Sequence, residues 1–240
     1  MKVIVVENYQ QIGVCGAQII ADTIKNNPNA VLGLATGTSP IGIYKNLIQM
    51  CNNGDISFAN VKTVNLDEYV GLDGTHQQSY RFFMNDNLFD HVDIDKANTF
   101  VPNGVAKNLA SECERYTALV NSMPQDLQLL GIGSNGHIAF NEPGTPFDST
   151  THVVELTQNT IKDNSRLFDD ISQVPTKALS MGIKNILGAK RILIVANGKN
   201  KAQAVADMVK GPVSEACPAS VLQTHPDVVV VVDQDAASLL

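Results

Sequence analysis

The segment Gly131–Pro143 carries the side chains best suited to acid–base chemistry. It reads GIGSNGHIAFNEP and follows an apolar run, Leu127–Ile132, that is typical of a buried strand. Its glycines allow a tight turn and close approach of backbone to a ligand. Ligands of open α/β sheets bind beyond the carboxyl ends of the strands, so His137 and Glu142 predict an acid–base site. An ordinary Gly-rich turn with a half-buried histidine is the alternative interpretation.

A second stretch has the composition of a phosphate-binding loop. Val31–Ala35 reads as a buried strand, and small polar residues follow it before a helix that we expect to start near Ser39, with Pro40 at its first position. Backbone N–H groups at a helix start attract anions. The candidate phosphate ligands are Thr36, Gly37, Thr38 and Ser39. An ordinary helix cap is the alternative, and the absence of a Walker or G-x-G-x-x-G pattern disfavours nucleotide binding.

Two carboxylates end another strand. Val61–Leu66 is followed by Asp67 and Glu68. Adjacent side chains on a strand point to opposite sides, so at most one should enter a shared crevice. A solvated acidic turn is the alternative.

A lysine pair precedes a later helix. Lys199 and Lys201 follow the apolar strand Arg191–Ala196 and stand where a cation opposes the helix dipole. This arrangement favours a bound anion there, although two solvated lysines are an equally good interpretation.

The elements that must position these groups alternate along the chain. Apolar strands alternate with helical patterns, which predicts an α/β fold: a Rossmann-like, open, mostly parallel sheet with helices on both faces. Gln77–Leu88 reads as a helix with Tyr80 turned into the core. Residues 145–177 are polar, and their stretch Asn159–Phe168 carries Lys162 and Arg166. We expect one domain, 1–240, with this insert as a small lid.

Composition narrows the class of protein. The formal charge of −7 over 240 residues argues against nucleic-acid or anionic-membrane partners. The four cysteines are widely spaced and the five histidines show no H-x-x-x-H pattern, so we predict reduced thiols and no metal site. No signal peptide or bilayer-length apolar run is visible. We therefore expect a cytoplasmic protein.

Several blocks in the same order together resemble the glucosamine-6-phosphate deaminase family over nearly the whole length. These are Asn65–Gly71, Leu88–Ile94, Gly136–Pro143, Asn164–Arg166, Ala178–Gly182 and Asn200–Ala202. The resemblance implies an open α/β sheet with a lid. It also implies conversion of glucosamine 6-phosphate and water to fructose 6-phosphate and ammonia, with no cofactor.

The resemblance also implies site roles. Asp67 matches the base that removes the C2 proton, while His137 and Glu142 match the pair that opens the sugar ring. Asn135 stands where some members carry Asp; it can still accept a hydrogen bond from an imidazole N–H. The phosphate ligands implied are the Thr36–Ser39 loop together with Arg166 and Lys201.

Alternatives remain at this level. 6-Phosphogluconolactonases share the fold and a Gly-His loop, but lactone hydrolysis needs no base at C2, which disfavours them in view of Asp67. Galactosamine 6-phosphate differs only at C4, and sequence separates such epimers poorly. A sugar-phosphate-sensing module is the non-enzymatic alternative. The chain resembles the shorter family members, so we expect a monomer or weak homo-oligomer.

Overall fold

The computed structural model describes residues 1–156, 170 and 173–240. Within them, the strands are β1 (Lys2–Val6), β2 (Val31–Leu34), β3 (Lys62–Asn65), β4 (Asp67–Tyr69), β5 (Thr99–Phe100), β6 (Leu127–Gly131), β7 (His152–Glu155), β8 (Lys177–Ser180), β9 (Ile192–Ala196) and β10 (Val228–Asp233). The α-helices are α1 (Tyr9–Asn26), α2 (Ile41–Asn52), α3 (Tyr80–Asn87), α4 (Leu109–Ser122), α5 (Ile183–Leu187) and α6 (Ala202–Lys210).

The main sheet has seven strands in the order β1-β10-β9-β6-β2-β3-β5. Every neighbouring pair in it is parallel. The chain adds β3 and β5 on one side of β2. It then places β6 on the other side of β2 and adds β9 and β10 beyond β6. Because parallel crossovers are right-handed, this reversal puts α1–α3 on one face and α4–α6 on the other. The prediction of a mostly parallel α/β sheet with helices on both faces is confirmed.

The centre of the sheet is apolar because it is covered on both sides. All residues of β9 and β10 are buried, and these strands read ILIVA and VVVVVD without polar alternation. The direction of the chain reverses between β2 and β6, which are neighbours. Loops diverge at such a point and leave a crevice at the carboxyl ends of the strands.

A second, smaller sheet was not predicted. Asp67–Tyr69 is a strand rather than an acidic turn, and it pairs antiparallel with β8, which also pairs with β7. The local sequence does not reveal this pairing because the partner strand lies far along the chain.

Two helix starts also differ from expectation. α2 begins one residue later with Pro40 as its cap, and α3 begins at Tyr80 because the Ser79 hydroxyl caps it.

The polar insert at 145–177 is described only in part. Its beginning contains β7, which adds the outer strand of the second sheet. The stretch Asn159–Phe168, with Lys162 and Arg166, lies outside the described residues, so the lid stays a prediction.

The four cysteines are free. Among the helices that the structure describes, none combines the length and apolarity that crossing a membrane would need.

Helices α1 and α2 approach each other through glycine. A Cβ at Gly13 would lie 2.9 Å from the carbonyl carbon and oxygen of Gly42. Nearby, the Tyr9 hydroxyl donates to the Thr38 carbonyl at 2.8 Å and accepts the Gly42 N–H at 3.1 Å. This close packing therefore fixes the loop that leads from β2 into α2.

We predict that Gly13→Ala destabilises the protein by about 1–3 kcal/mol, because the added methyl meets backbone that cannot move aside. Helix propensity alone would favour alanine by about 1 kcal/mol, so the sign of the change is informative. Gly16→Ala is the control, since its nearest contact is the end of the Ile43 side chain. Urea unfolding should rank Gly13→Ala below Gly16→Ala in stability, and the reverse order would contradict the packing described.

Candidate active site

A cavity of about 450 Å³ opens at the carboxyl ends of β2, β3 and β6, where the direction of the sheet reverses. Its walls come from the loops that follow these strands and β9. The lining residues are Ala35, Thr36, Gly37, Ser39, Leu66, Asp67, Tyr80, Gly131, Ile132, Gly133, Ser134, His137, Ala139, Phe140, Asn200 and Lys201.

Most residues predicted from the sequence meet at this cavity. Those that line it are Thr36, Gly37, Ser39, Asp67, His137 and Lys201. Asn135 and Glu142 lie beside His137 and contact it. Thr38 does not line the cavity, and its carbonyl accepts the Tyr9 hydroxyl. Arg166 lies outside the described residues.

The Asp67 carboxyl lies at the cavity wall and is almost removed from solvent. The residue is 6% exposed, and its Oδ1 has no hydrogen-bond partner. Burial raises the pKa of Asp67 to about 8, and the negative charge of neighbouring Glu68 adds to the rise. A carboxyl with such a pKa can both take up and return a proton near neutral pH.

Glu68 points away from the cavity, as the alternation of a strand requires. Its carboxylate accepts the backbone N–H groups of Tyr69, Tyr80 and Arg81 at 2.8, 2.9 and 3.0 Å. Two of these belong to the first turn of α3, where free N–H groups need acceptors. Burial raises the pKa of Glu68, while these hydrogen bonds oppose the rise. Glu68 thus anchors α3 and supplies negative charge behind Asp67.

His137 and Glu142 form the second chemical group of the cavity. The His137 Nδ1 lies 3.4 Å from Glu142 Oε1, an ion-pair distance longer than a typical hydrogen bond. The Asn135 side-chain amide donates to Glu142 Oε2 at 2.7 Å, and Asn135 Oδ1 accepts the His137 backbone N–H at 3.2 Å. His137 and then Asn135 lower the pKa of Glu142, while burial opposes them. Glu142 therefore stays ionised beside the imidazole.

The loop that carries this pair has an unusual backbone. Ala139 has φ of 52°, and it is the non-glycine residue with positive φ in the described chain. Such a conformation costs roughly 1–3 kcal/mol and persists where surrounding contacts hold it. A Cβ at Gly133 would lie 2.3 Å from the His137 ring. Glycine at this position therefore leaves room for the imidazole.

A cation and a helix start face the cavity from the β2 and β9 loops. Burial lowers the pKa of Lys201, and no ion-pair partner for it is found among the described residues. Lys199, two positions earlier, is exposed. The start of α2 has no side-chain cap. A partly buried ammonium and an uncapped helix start in one cavity form a suitable site for a phosphate or another anion.

Sequence reasoning missed part of the wall. Tyr80 and Phe140 line the cavity with rings stacked at a centroid distance of 6.3 Å, whereas Tyr80 was assigned to the core. Phe140 lies between His137 and Glu142 in sequence, and this position between two candidate site residues could have predicted that Phe140 lines the cavity. Ser134 and Asn200 were also missed. In the described part of the chain, no group of three or more His, Cys, Asp or Glu side chains is arranged to hold a metal ion.

Comparisons with known proteins agree with this geometry. The sequence model described as glucosamine-6-phosphate isomerases/6-phosphogluconolactonase matches residues 9–231. A glucosamine-6-phosphate deaminase of Clostridium perfringens is 52% identical over 241 residues, covering 100% of each chain. The solved structure of a monomeric glucosamine-6-phosphate deaminase of the NagB superfamily superposes with a TM-score of 0.96 at 51% identity, covering 100% of each chain.

A more distant likeness concerns the fold alone. The 6-phosphogluconolactonase of Trypanosoma brucei superposes with a TM-score of 0.80 at 17% identity, over 100% of this chain and 98% of that one. The resemblance stated from the sequence blocks is confirmed by the nearer relatives. The chain belongs to the enzyme family of glucosamine-6-phosphate isomerases and 6-phosphogluconolactonases.

Proposed function

We propose that this enzyme is a glucosamine-6-phosphate deaminase, which converts glucosamine 6-phosphate and water to fructose 6-phosphate and ammonia. One observation carries the proposal most strongly: a buried carboxyl with a free oxygen, Asp67, shares a cavity with His137 and Lys201. Moving a carbonyl from C1 to C2 needs a base at C2, whereas lactone hydrolysis does not. The full-length identity to deaminases supports the same choice.

The phosphate is the group by which the sugar is held. In this proposal the Lys201 ammonium and the Thr36–Ser39 loop bind it, and Arg166 is a further predicted ligand. Phosphate takes no part in the bond changes, so its binding energy serves to position the reacting carbons. We propose that residues 145–177 form the lid that closes over the bound sugar.

Ring opening comes next and is assigned to His137 and Glu142. The imidazole takes the proton of the C1 hydroxyl and delivers a proton to the ring oxygen as the bond between C1 and that oxygen breaks. The Glu142 carboxylate, 3.4 Å from Nδ1, stabilises the imidazolium formed between the two transfers. Asn135 orients this carboxylate through its 2.7 Å hydrogen bond.

Asp67 then moves the carbonyl function. Its carboxylate removes the C2 proton of the open-chain aldehyde while the carbonyl oxygen at C1 takes up one proton of the substrate ammonium, giving an enolamine. Asp67 then returns its proton to C1, which gives a protonated imine at C2. Water adds to this imine, the carbon–nitrogen bond breaks, and ammonia leaves with the ketose. The substrate ammonium at C2 lies near Asp67 and lowers its pKa on binding, so the carboxylate form is available when the sugar is bound.

Three finer assignments accompany the proposal. We place the enzyme in the cytoplasm, where its four free thiols stay reduced, and in the breakdown of amino sugars such as N-acetylglucosamine. A monomer is favoured by the relative whose structure is described as monomeric.

We predict that the purified protein releases ammonia from glucosamine 6-phosphate without added metal or nucleotide. Asp67→Asn should abolish this activity yet leave binding of the sugar phosphate within a few-fold, because the amide keeps the shape but cannot take the proton. A coupled assay for ammonia and calorimetric binding measure the two properties. Turnover of 6-phosphogluconolactone in place of ammonia release would overturn the assignment.

The raised pKa of Asp67 predicts the pH dependence of kcat/KM, which reports groups of the free enzyme. The ionised form is the base, so activity is present above about pH 8 and is lost as the pH falls through that value. Glu68→Gln removes the adjacent negative charge and should move this limb to lower pH. The control is Glu114→Gln, an exposed glutamate of α4. A limb centred near 4 in the unsubstituted enzyme would contradict the prediction.

The phosphate role of Lys201 predicts a selective loss of binding. Lys201→Gln should raise KM for glucosamine 6-phosphate about 10–100-fold, since a hydrogen bond to a charged group contributes roughly 1.5–3 kcal/mol. Lys199→Gln removes the same charge two residues away at an exposed position and should change KM less than about threefold. Equal effects of the two substitutions on KM would contradict a specific phosphate contact by Lys201, because a general electrostatic attraction of the substrate would explain them.

A further inference from the structure

We propose that Ser180 is a positioning residue for the deaminase reaction proposed above. Its hydroxyl holds the loop that carries His137 and Glu142 against the strand that begins with Asp67. Ser180 is the last residue of β8 and is fully buried. It does not line the cavity, so any effect on the reaction must act through its neighbours.

Ser180 connects the Asp67 strand to the His137 loop, and the first part of this connection is backbone pairing with the Asp67 strand. Ser180 is the register partner of Asp67 in the antiparallel pair of β4 and β8. The Met181 N–H donates to the Leu66 carbonyl at 2.7 Å. Ser180 is therefore fixed beside Asp67, and Met181 is fixed beside Leu66, the residue that links β3 to β4.

The second part consists of side-chain bonds to the loop. The Ser180 hydroxyl accepts the Phe140 backbone N–H at 3.2 Å and donates to the Met181 carbonyl at 3.3 Å. The same carbonyl accepts the side-chain amide of Asn141 at 2.9 Å, and this amide also donates to the Ile138 carbonyl at 2.9 Å. Two consecutive loop residues are thus tied to the two residues that pair with the Asp67 strand.

The loop needs such a tether because of its conformation. Ala139 is held at φ 52°, and Phe140 is the next residue. Without the Ser180 oxygen the Phe140 N–H loses its acceptor, and Ala139 can relax toward ordinary backbone angles. His137 and Glu142 flank these residues in sequence, so the relaxation would change their 3.4 Å contact. A displacement of 1 Å in a reacting group can cost about a hundredfold in rate.

The test compares three substitutions in ammonia release from glucosamine 6-phosphate. Ser180→Ala removes the acceptor, and Ser180→Cys fills the space with a sulfur that accepts weakly. Both should lower kcat by about 10–100-fold while KM changes less than about threefold, because the phosphate ligands are untouched. Ser220→Ala is the matched control: its buried hydroxyl accepts the Ser214 N–H at 2.9 Å and donates to the Ser214 carbonyl at 3.0 Å, outside both the cavity lining and the proposed lid. We expect this control to keep kcat within about twofold.

A double-mutant cycle distinguishes positioning from general destabilisation. If Ser180 acts through the ring-opening pair, Ser180→Ala should lower kcat much less in a Glu142→Gln background than in the parent. Equal losses in both backgrounds, or a kcat within about twofold of the parent for a folded Ser180→Ala, would overturn the proposal. Should Ser180→Ala not fold, Ser180→Cys decides by the same criteria. Ammonia release by the unsubstituted protein tests the function itself, so an active parent with an unaffected Ser180 series refutes only the positioning role.

Discussion

The structure depends on the removal of one carboxyl from water. Asp67 is separated from the end of β3 by one residue and, instead of turning into solvent, begins a short strand that pairs with β8. This pairing buries the side chain at the cavity wall and leaves Oδ1 without a protein partner. Burying an ionised carboxylate without a cation is costly, so its pKa rises instead. The enzyme therefore holds a group whose proton affinity is matched to proton transfer near neutral pH.

Charges of both signs lie in or beside the cavity. Lys201 and the uncapped start of α2 provide positive potential, which allows a protein with a formal charge of −7 to hold an anion. Negative charge comes from Glu142, which is ionised beside His137, and from Glu68, which lies behind Asp67. A substrate with a phosphate at one end and an ammonium near its carbonyl complements both. This complementarity agrees with the chemistry of an amino-sugar phosphate.

The sequence predicted what depends on local pattern and on residue type. Apolar strands such as β9 and β10, and the loops that follow β2 and β6, were placed because periodicity and glycine content are local properties. Asp67, His137 and Lys201 were selected by type and by their position after strands. The β4–β8 pairing, the position of Tyr80 in the cavity wall and the side-chain bond from Tyr9 to Thr38 were not predicted. Each depends on a partner distant in sequence, which a single chain read in order does not specify.

The most direct measurement is the titration of the Asp67 carboxyl itself. Aspartate labelled with ¹³C at the carboxyl carbon gives a resonance for Asp67 that is identified by its loss in the Asp67→Asn variant. We expect a midpoint near 8 in the unliganded enzyme and a lower midpoint when a hexosamine phosphate analogue brings an ammonium into the cavity. A midpoint near 4, unchanged by the analogue, would contradict it, since Asp67 would then be an ordinary solvated carboxylate.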